Sequence, residues 1–177
     1  MRLLAISGSL RRVSTNSALL RAMAGNAPAG ISVELFEGLG DLPIFNPDLE
    51  GDFTAQPVLD FARQVQEADG LILACPEYAH GIPGGLKNAL DWLVSRDEIP
   101  FKPVMLARAS HRNGISNAAL EEVLRTMSVR LMPETNVCIH LLGKKGEETA
   151  QTLSAPATQA DMAAALERFA TWIATDT

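Results

Sequence analysis

Cysteine is scarce in this chain. Only Cys75 and Cys138 occur in 177 residues, both within apolar runs and without Cys-x-x-Cys spacing, so no disulfide framework or cysteine-pair site is legible. No apolar run approaches the roughly 20 residues that a membrane span requires, and the N-terminus opens a strand pattern rather than a signal peptide. These features predict a reducing cytoplasm and no membrane partner. Positive charge is short too. Fifteen Lys and Arg against 21 Asp and Glu leave a net charge of −6, which argues against non-specific binding to nucleic acid or an anionic surface. Repeats, low-complexity tracts and interdomain linkers are lacking. At 47% hydrophobic residues, the chain suffices for one core and is short for two, so 1–177 reads as a single domain.

What is present alternates. RLLAIS (2–7) is a short apolar run, and Leu19, Leu20 and Met23 follow at helical spacing. ISVELF (31–36) precedes a stripe of Val58, Leu59, Ala62 and Val65, then GLILAC (70–75) precedes Leu86, Ala89, Leu90 and Leu93. PVMLARA (103–109) leads to Leu120, Val123, Leu124 and Met127, and a strand near 136–142 precedes a helix carrying Met162, Leu166, Phe169 and Ile173. Five strands alternating with five helices predict an α/β domain. The near-continuous apolar strands point to a parallel sheet buried on both faces. Ligands collect at the carboxyl ends of such strands, so the loops at 8–16, 76–83 and 109–114 should meet at one edge.

The first loop supplies Ser9, Ser14, Thr15 and Asn16 as donors and Arg11 and Arg12 as cations, just before a helix N-terminus. That chemistry suits an anion, most simply a phosphate. The alternative is that Ser14 merely caps the helix and the arginines are solvated. Neither a Walker sequence nor Gly-x-Gly-x-x-Gly is present, and Gly38 and Gly40 precede no helical pattern. In the third loop, Ser110, His111, Arg112 and Asn113 either line a rim or form an exposed polar turn. His80 has no second ligand at metal spacing and reads as pocket lining, while His140 reads as a structural strand residue. No metal site and no acid–base or nucleophilic side chain emerges.

The second loop concentrates Gly81, Pro83, Gly84 and Gly85 in five positions. Pro83 suits the first helical position, which makes Ile82 the N-cap, and Ile has no group able to satisfy the helix's free N–H groups. A ligand can cap them instead, with the glycines admitting a flat, electron-poor ring to the backbone. An ordinary hydrated Pro-Gly turn is the competing reading.

At these residues the chain resembles the NADPH-dependent FMN reductases of flavodoxin-like fold, which include quinone, azo-dye and chromate reductases. The resemblance rests on Gly8-Ser9-Leu10-Arg11 with Ser14 and Asn16, on Pro76-Glu77-Tyr78 and Ile82-Pro83-Gly84, and on Leu86-Lys87-Asn88-Ala89 with Asp91-Trp92. It implies a three-layer sandwich with a five-stranded parallel sheet of order 2-1-3-4-5. It also implies FMN as cofactor, with its phosphate held by Ser9, Arg11, Ser14 and Asn16, and Thr15 beside them. Pro76, Glu77, Tyr78 and the backbone of Ala79, His80 and Gly81 would border the ring, with Ser110 completing the candidate set. The implied reaction passes hydride from NADPH or NADH through FMN to a small-molecule acceptor such as a quinone. The alternative is an FMN-binding electron carrier that does not turn over NAD(P)H. Arg12, Arg108 and Arg112 would suit the nucleotide's phosphates if they gather at that edge. The resemblance further implies a homodimer or homotetramer, with exposed Trp92 and Leu93 near the interface. Two departures stand out: Ala79 replaces the family's common Asn, and Ala109-Ser110 leads into His111-Arg112-Asn113 instead of a Gly-rich loop.

Overall fold

Strand geometry sends successive residues to opposite faces. Leu3, Ala5, Ile72, Ala74, Met105 and Ala107 are buried in one layer, and Leu4, Ile6, Leu71, Leu73, Val104 and Leu106 in the other. The computed structural model describes residues 1–111 and 114–175. Its strands are β1 (Arg2–Ser7), β2 (Ser32–Phe36), β3 (Gly70–Ala74), β4 (Pro103–Arg108), β5 (Arg130–Leu131) and β6 (Val137–Cys138). All pairings are parallel, in the order β2-β1-β3-β4-β5, with β6 also on β4.

Helices α1 (Thr15–Gly25), α5 (Glu147–Ser154) and α6 (Pro156–Thr175) pack on the first face, and α2 (Gln56–Glu67), α3 (Gly84–Leu93) and α4 (Gly114–Thr126) on the second. Leu19, Leu20 and Met23 of α1 are fully buried, each stabilising the fold by roughly 1.5–3 kcal/mol relative to exposure. Because the chain runs from β1 to β2 on one side and returns to β3 on the other, α1 and α3 leave the sheet edge toward opposite faces. The crevice between them opens at the carboxyl ends of β1 and β3. Among the described residues, no helix is long and apolar enough to cross a membrane.

The fifth strand differs from the expectation of one run near 136–142. β5 pairs with Pro103 and Val104, β6 pairs with Ala107 and Arg108, and a 3-10 turn at Pro133–Thr135 interrupts them. Proline cannot donate to a ladder. Asn136 compensates, its Oδ1 accepting from the backbone N–H of Leu106 at 2.7 Å. His140 accordingly lies past β6, exposed, with its ring stacked 5.8 Å from that of His111.

A second correction concerns α3. Trp92 and Leu93 are buried, at 1% and 0% exposure, and so cannot form an exposed interface. The chain at 42–45 crosses α3 on the side away from the sheet: Trp92 Nε1 donates to Pro43 O at 2.7 Å, and its ring meets Phe45 edge-on at 5.1 Å.

Candidate active site

Gly8 brings the ends of β1 and β3 together. Its N–H donates to Ala74 O at 2.8 Å, and a Cβ there would lie 2.9 Å from Leu86 Cδ2 and 3.2 Å from Pro76 Cδ. From this point the first loop is laced by hydroxyls. Ser17 Oγ donates to Ser7 Oγ at 2.9 Å, Ser9 N–H to Ser7 Oγ at 3.3 Å, and Arg11 N–H to Ser9 Oγ at 3.4 Å. Ser14 is the N-cap of α1, accepting from Ser17 N–H at 3.3 Å. Thr15 and Asn16 therefore begin the helix. Asn16 is 6% exposed, and its buried Oδ1 has no protein partner. Arg11 and Arg12 are exposed and have no carboxylate within 4 Å among the described residues.

Ser9 Oγ lies 3.3 Å from Tyr78 Oη and so ties the first loop to the second. There, Tyr78 and Gly81 pair through N–H···O bonds of 2.9 and 3.2 Å around Ala79 and His80. Both central residues have positive φ, 49° and 58°. That is the left-handed turn Asn and Gly prefer, and it explains why the family's common Asn would be at home at position 79. Ala tolerates it at a cost of about 1 kcal/mol. Ala79→Asn is therefore expected to stabilise the fold by about 0.5–1 kcal/mol, measured by urea unfolding. A lower midpoint would show that the turn is not held left-handed in solution.

The glycines need a different explanation. Gly81, Gly84 and Gly85 do not have positive φ; a Cβ at Gly84 meets nothing within 4 Å, and at Gly81 or Gly85 only ordinary contacts of 3.5 Å or more. Neither backbone conformation nor internal packing requires them. Gly84 and Gly85 border a cleft of about 330 Å³ with Gly8, Leu10, Arg11, Tyr78 and Pro83. Helix α3 begins at Gly84, one residue later than expected. Pro83 is the N-cap because its ψ of 137° is not helical, and like Ile82 it offers no side-chain acceptor.

Glu77 has a structural task. Its Oε2 accepts from Ser116 N–H in the first turn of α4 at 3.0 Å, and its Oε1 lies 3.1 Å from His80 Nδ1. The Ser116 N–H, with His80 assisting, holds this carboxyl below the ordinary carboxylate range. A lowered folded value stabilises the protein above the unfolded carboxylate's pKa, and that contribution is lost as pH falls through the folded one. Ala79 and His80 are exposed and Pro76 is buried.

The third loop places Ser110, 4% exposed, on a separate cleft with Arg108, His111 and Cys138. Arg108 is held by Glu121 Oε1 at 2.9 Å. Arg112 and Asn113 lie outside the described residues. Of the two described cations expected at the nucleotide rim, Arg12 alone lacks a carboxylate partner. Cys138 Sγ sits 3.3 Å from His111 Nδ1, a pair 27 residues apart that no local spacing announces. Burial pushes the Cys138 thiol up and that of Cys75 to about 11, so neither is poised as a thiolate nucleophile.

The sheet order and the crevice between the loops after β1 and β3 define a flavodoxin-like α/β protein. The NADPH-dependent FMN reductase family model matches residues 1–141, and the chain belongs to that family. It is 37% identical over 150 residues to an NADH:(hydroxy)cinnamate reductase subunit of Vibrio ruber, covering 81% of this chain and 72% of that protein. An NAD(P)H-dependent FMN reductase of Pseudomonas aeruginosa is 40% identical over 112 residues, 62% of this chain and 60% of that one. Quinone reductase of Escherichia coli is 33% identical over 113 residues, with the same coverage. The chain thus spans 60–72% of the length of these relatives. In structure it is similar to a flavoenzyme NAD(P)H:(acceptor) oxidoreductase of Paracoccus denitrificans, with a TM-score of 0.81 at 24% identity, covering 98% of this chain and 97% of that one.

Proposed function

We propose that this chain is a single-domain FMN-dependent NAD(P)H oxidoreductase acting on quinones or similar small electrophiles. The observation that carries the reading is the strip without side chains at Gly81, Gly84 and Gly85, which nothing inside the chain requires. It leaves backbone open beside Tyr78 and Leu10, a surface suited to a planar ring. The residues present fit the flavin's other end as well. Ser9, Arg11, Ser14, Thr15 and Asn16 gather at the N-terminus of α1, where free N–H groups and the helix dipole favour a phosphate. The buried Asn16 amide, unpartnered at its oxygen, can accept from a ligand hydroxyl or, turned over, donate to an anion.

Held by these residues, FMN would supply the two-electron hydride chemistry that links reduced pyridine nucleotide to the acceptor. The protein's part is positional. Backbone from Pro76 to Gly81 would border the ring, the Ser9–Tyr78 contact fixes the two loops relative to each other, and Glu77 anchors the turn to α4. Ser110, within the third loop, lies on its own cleft beside Arg108 and His111, and the small, exposed Ala79 would leave room for the nicotinamide. Cytoplasmic residence suits Cys75 and Cys138, which form no disulfide with each other.

The expected result is a purified protein with a flavin spectrum that anaerobic NADPH or NADH bleaches and a quinone restores. Bleaching by dithionite alone would establish the carrier reading instead, and a colourless protein that takes up no FMN would remove both.

The proposed assembly is a homodimer or homotetramer. Ile44 and Phe53 are 80% and 76% exposed, with Leu49 and Val94 also exposed. A hydrogen bond from Ser95 Oγ to Glu50 Oε1 brings the two segments together. Such a cluster marks an interface better than the buried Trp92. Light scattering at micromolar concentration should give at least twice the 19.0 kDa chain mass; a monomeric mass would overturn the assembly.

A further inference from the structure

A cleft of about 460 Å³ separates the N-terminal end of α1 from the chain between β6 and α5. One wall carries Arg11, Ser14 and Thr15, and the other Lys144, Lys145 and Thr149. Three cations on one cleft run against the acidic balance of the chain. Arg2, Arg63, Lys87, Arg96, Arg108 and Arg125 all have carboxylate partners. Arg11, Lys144 and Lys145 have none within 4 Å among the described residues. The neighbouring Glu147 and Glu148 are exposed and do not line the cleft, and Glu147 accepts from Gln151 instead.

The lysines are held by a built turn. Gly143 and Gly146 bracket them with φ of 81° and 47°, a conformation that favours glycine, and Lys144 N–H donates to Leu141 O at 3.1 Å. Leu141 is itself fully buried, and its N–H is fixed to Ala109 O at 2.9 Å. Across the cleft stands the first turn of α1, where Asn16 keeps a buried oxygen without a partner. Like charges gathered without a counterion repel one another, and a dianion between them relieves that repulsion.

We propose that Lys144 and Lys145 close with Arg11 on a phosphate monoester at the N-terminus of α1. Under the FMN reading, on which this inference rests, that group is the terminal phosphate of the cofactor. It carries about −1.5 to −2 charges at neutral pH. The first loop then supplies one cation and the hydroxyls, and the turn before α5, distant in sequence, supplies the other two cations.

The test compares FMN with riboflavin, which lacks the phosphate, by titrating stripped apoprotein and following flavin fluorescence. In K144Q/K145Q the Kd for FMN is expected to rise at least about tenfold, that for riboflavin to stay at the wild-type value, and the salt dependence of FMN binding to flatten. An unchanged Kd for FMN overturns the proposal while leaving the FMN reading intact. Equal weakening of both flavins overturns it too, because the lysines would then only support the fold. An unaltered FMN affinity with a raised KM for NADPH but not for NADH would reassign the lysines to the nucleotide. A wild-type protein that binds neither flavin defeats the FMN reading itself.

Discussion

Gly8→Val is expected to lower the melting temperature by roughly 5–10 °C and to weaken FMN binding by about 100-fold. The cause is crowding. Gly8 does not have positive φ, so the backbone would accept another residue, but its Cβ would fall 2.9 Å from Leu86 Cδ2, 3.2 Å from Pro76 Cδ and 3.3 Å from Leu86 Cβ. A flexible leucine tip can rotate, whereas a proline ring and a Cβ fixed on α3 cannot. Leu86 is also fully buried, so even its tip has little free space in a close-packed core. Relief must come from separating the loop after β1 from α3, which would break the Gly8–Ala74 bond and the Ser9–Tyr78 contact. Two or more ligand contacts at the α1 N-terminus would move with it. Gly8→Ala should show the same effect at smaller size. Thermal melts of both variants with wild-type midpoints would mean that the ends of β1 and β3 and the start of α3 are less tightly apposed than the structure has them.

Gly8 also illustrates what the sequence could and could not convey. Its motif was visible, yet nothing in a glycine's letter separates a close approach inside the protein from one to a ligand. The crowding at Gly8 comes from inside the protein, while nothing inside it crowds Gly81, Gly84 or Gly85. The parallel sheet was legible because burial on both faces forces an unbroken apolar run such as Leu71–Ala74, and α1 to α4 and α6 were legible from their apolar stripes. Strand five was not, because Pro133 breaks it and a side chain, Asn136, replaces a ladder bond. Helix α5 escaped notice because its buried face holds Thr149 and Leu153, too little for a stripe. The turn at Ala79 and His80 carries no glycine at its left-handed positions, so its conformation had no local signal. Lys144 and Lys145 come to face Arg11 across one cleft, and Cys138 meets His111, only through tertiary folding, and spacing in the chain says nothing about such meetings.

The Leu86-Lys87-Asn88-Ala89 and Asp91-Trp92 motif yields the second large effect, a structural one. Asn88 is 8% exposed. Its Oδ1 accepts from Phe45 N–H at 2.7 Å, and its Nδ2 donates to Pro43 O at 2.9 Å and to Leu42 O at 3.5 Å. With Trp92 Nε1 also on Pro43 O, these bonds pin residues 42–45 across α3. That segment follows Leu39, Gly40 and Asp41, which share a cleft with Ser9, Arg11 and Arg12. Asn88→Ala removes the partners of several largely buried backbone groups at once, and is expected to cost about 2–3 kcal/mol, or roughly 5–10 °C in Tm. Trp92→Phe, which removes a single donor, should cost less. Asn88→Asp separates hydrogen bonding from packing. The carboxylate still accepts from Phe45 N–H but faces the carbonyls of Pro43 and Leu42 with no proton to donate. Its folded pKa is therefore raised, and its deficit relative to wild type should be larger at pH 7 and shrink as pH falls and the carboxyl protonates. Urea unfolding of the three variants at pH 7 and at about pH 5 measures this; an Asn88→Asp deficit that does not change with pH would show that the polar clamp on residues 42–45 is not formed.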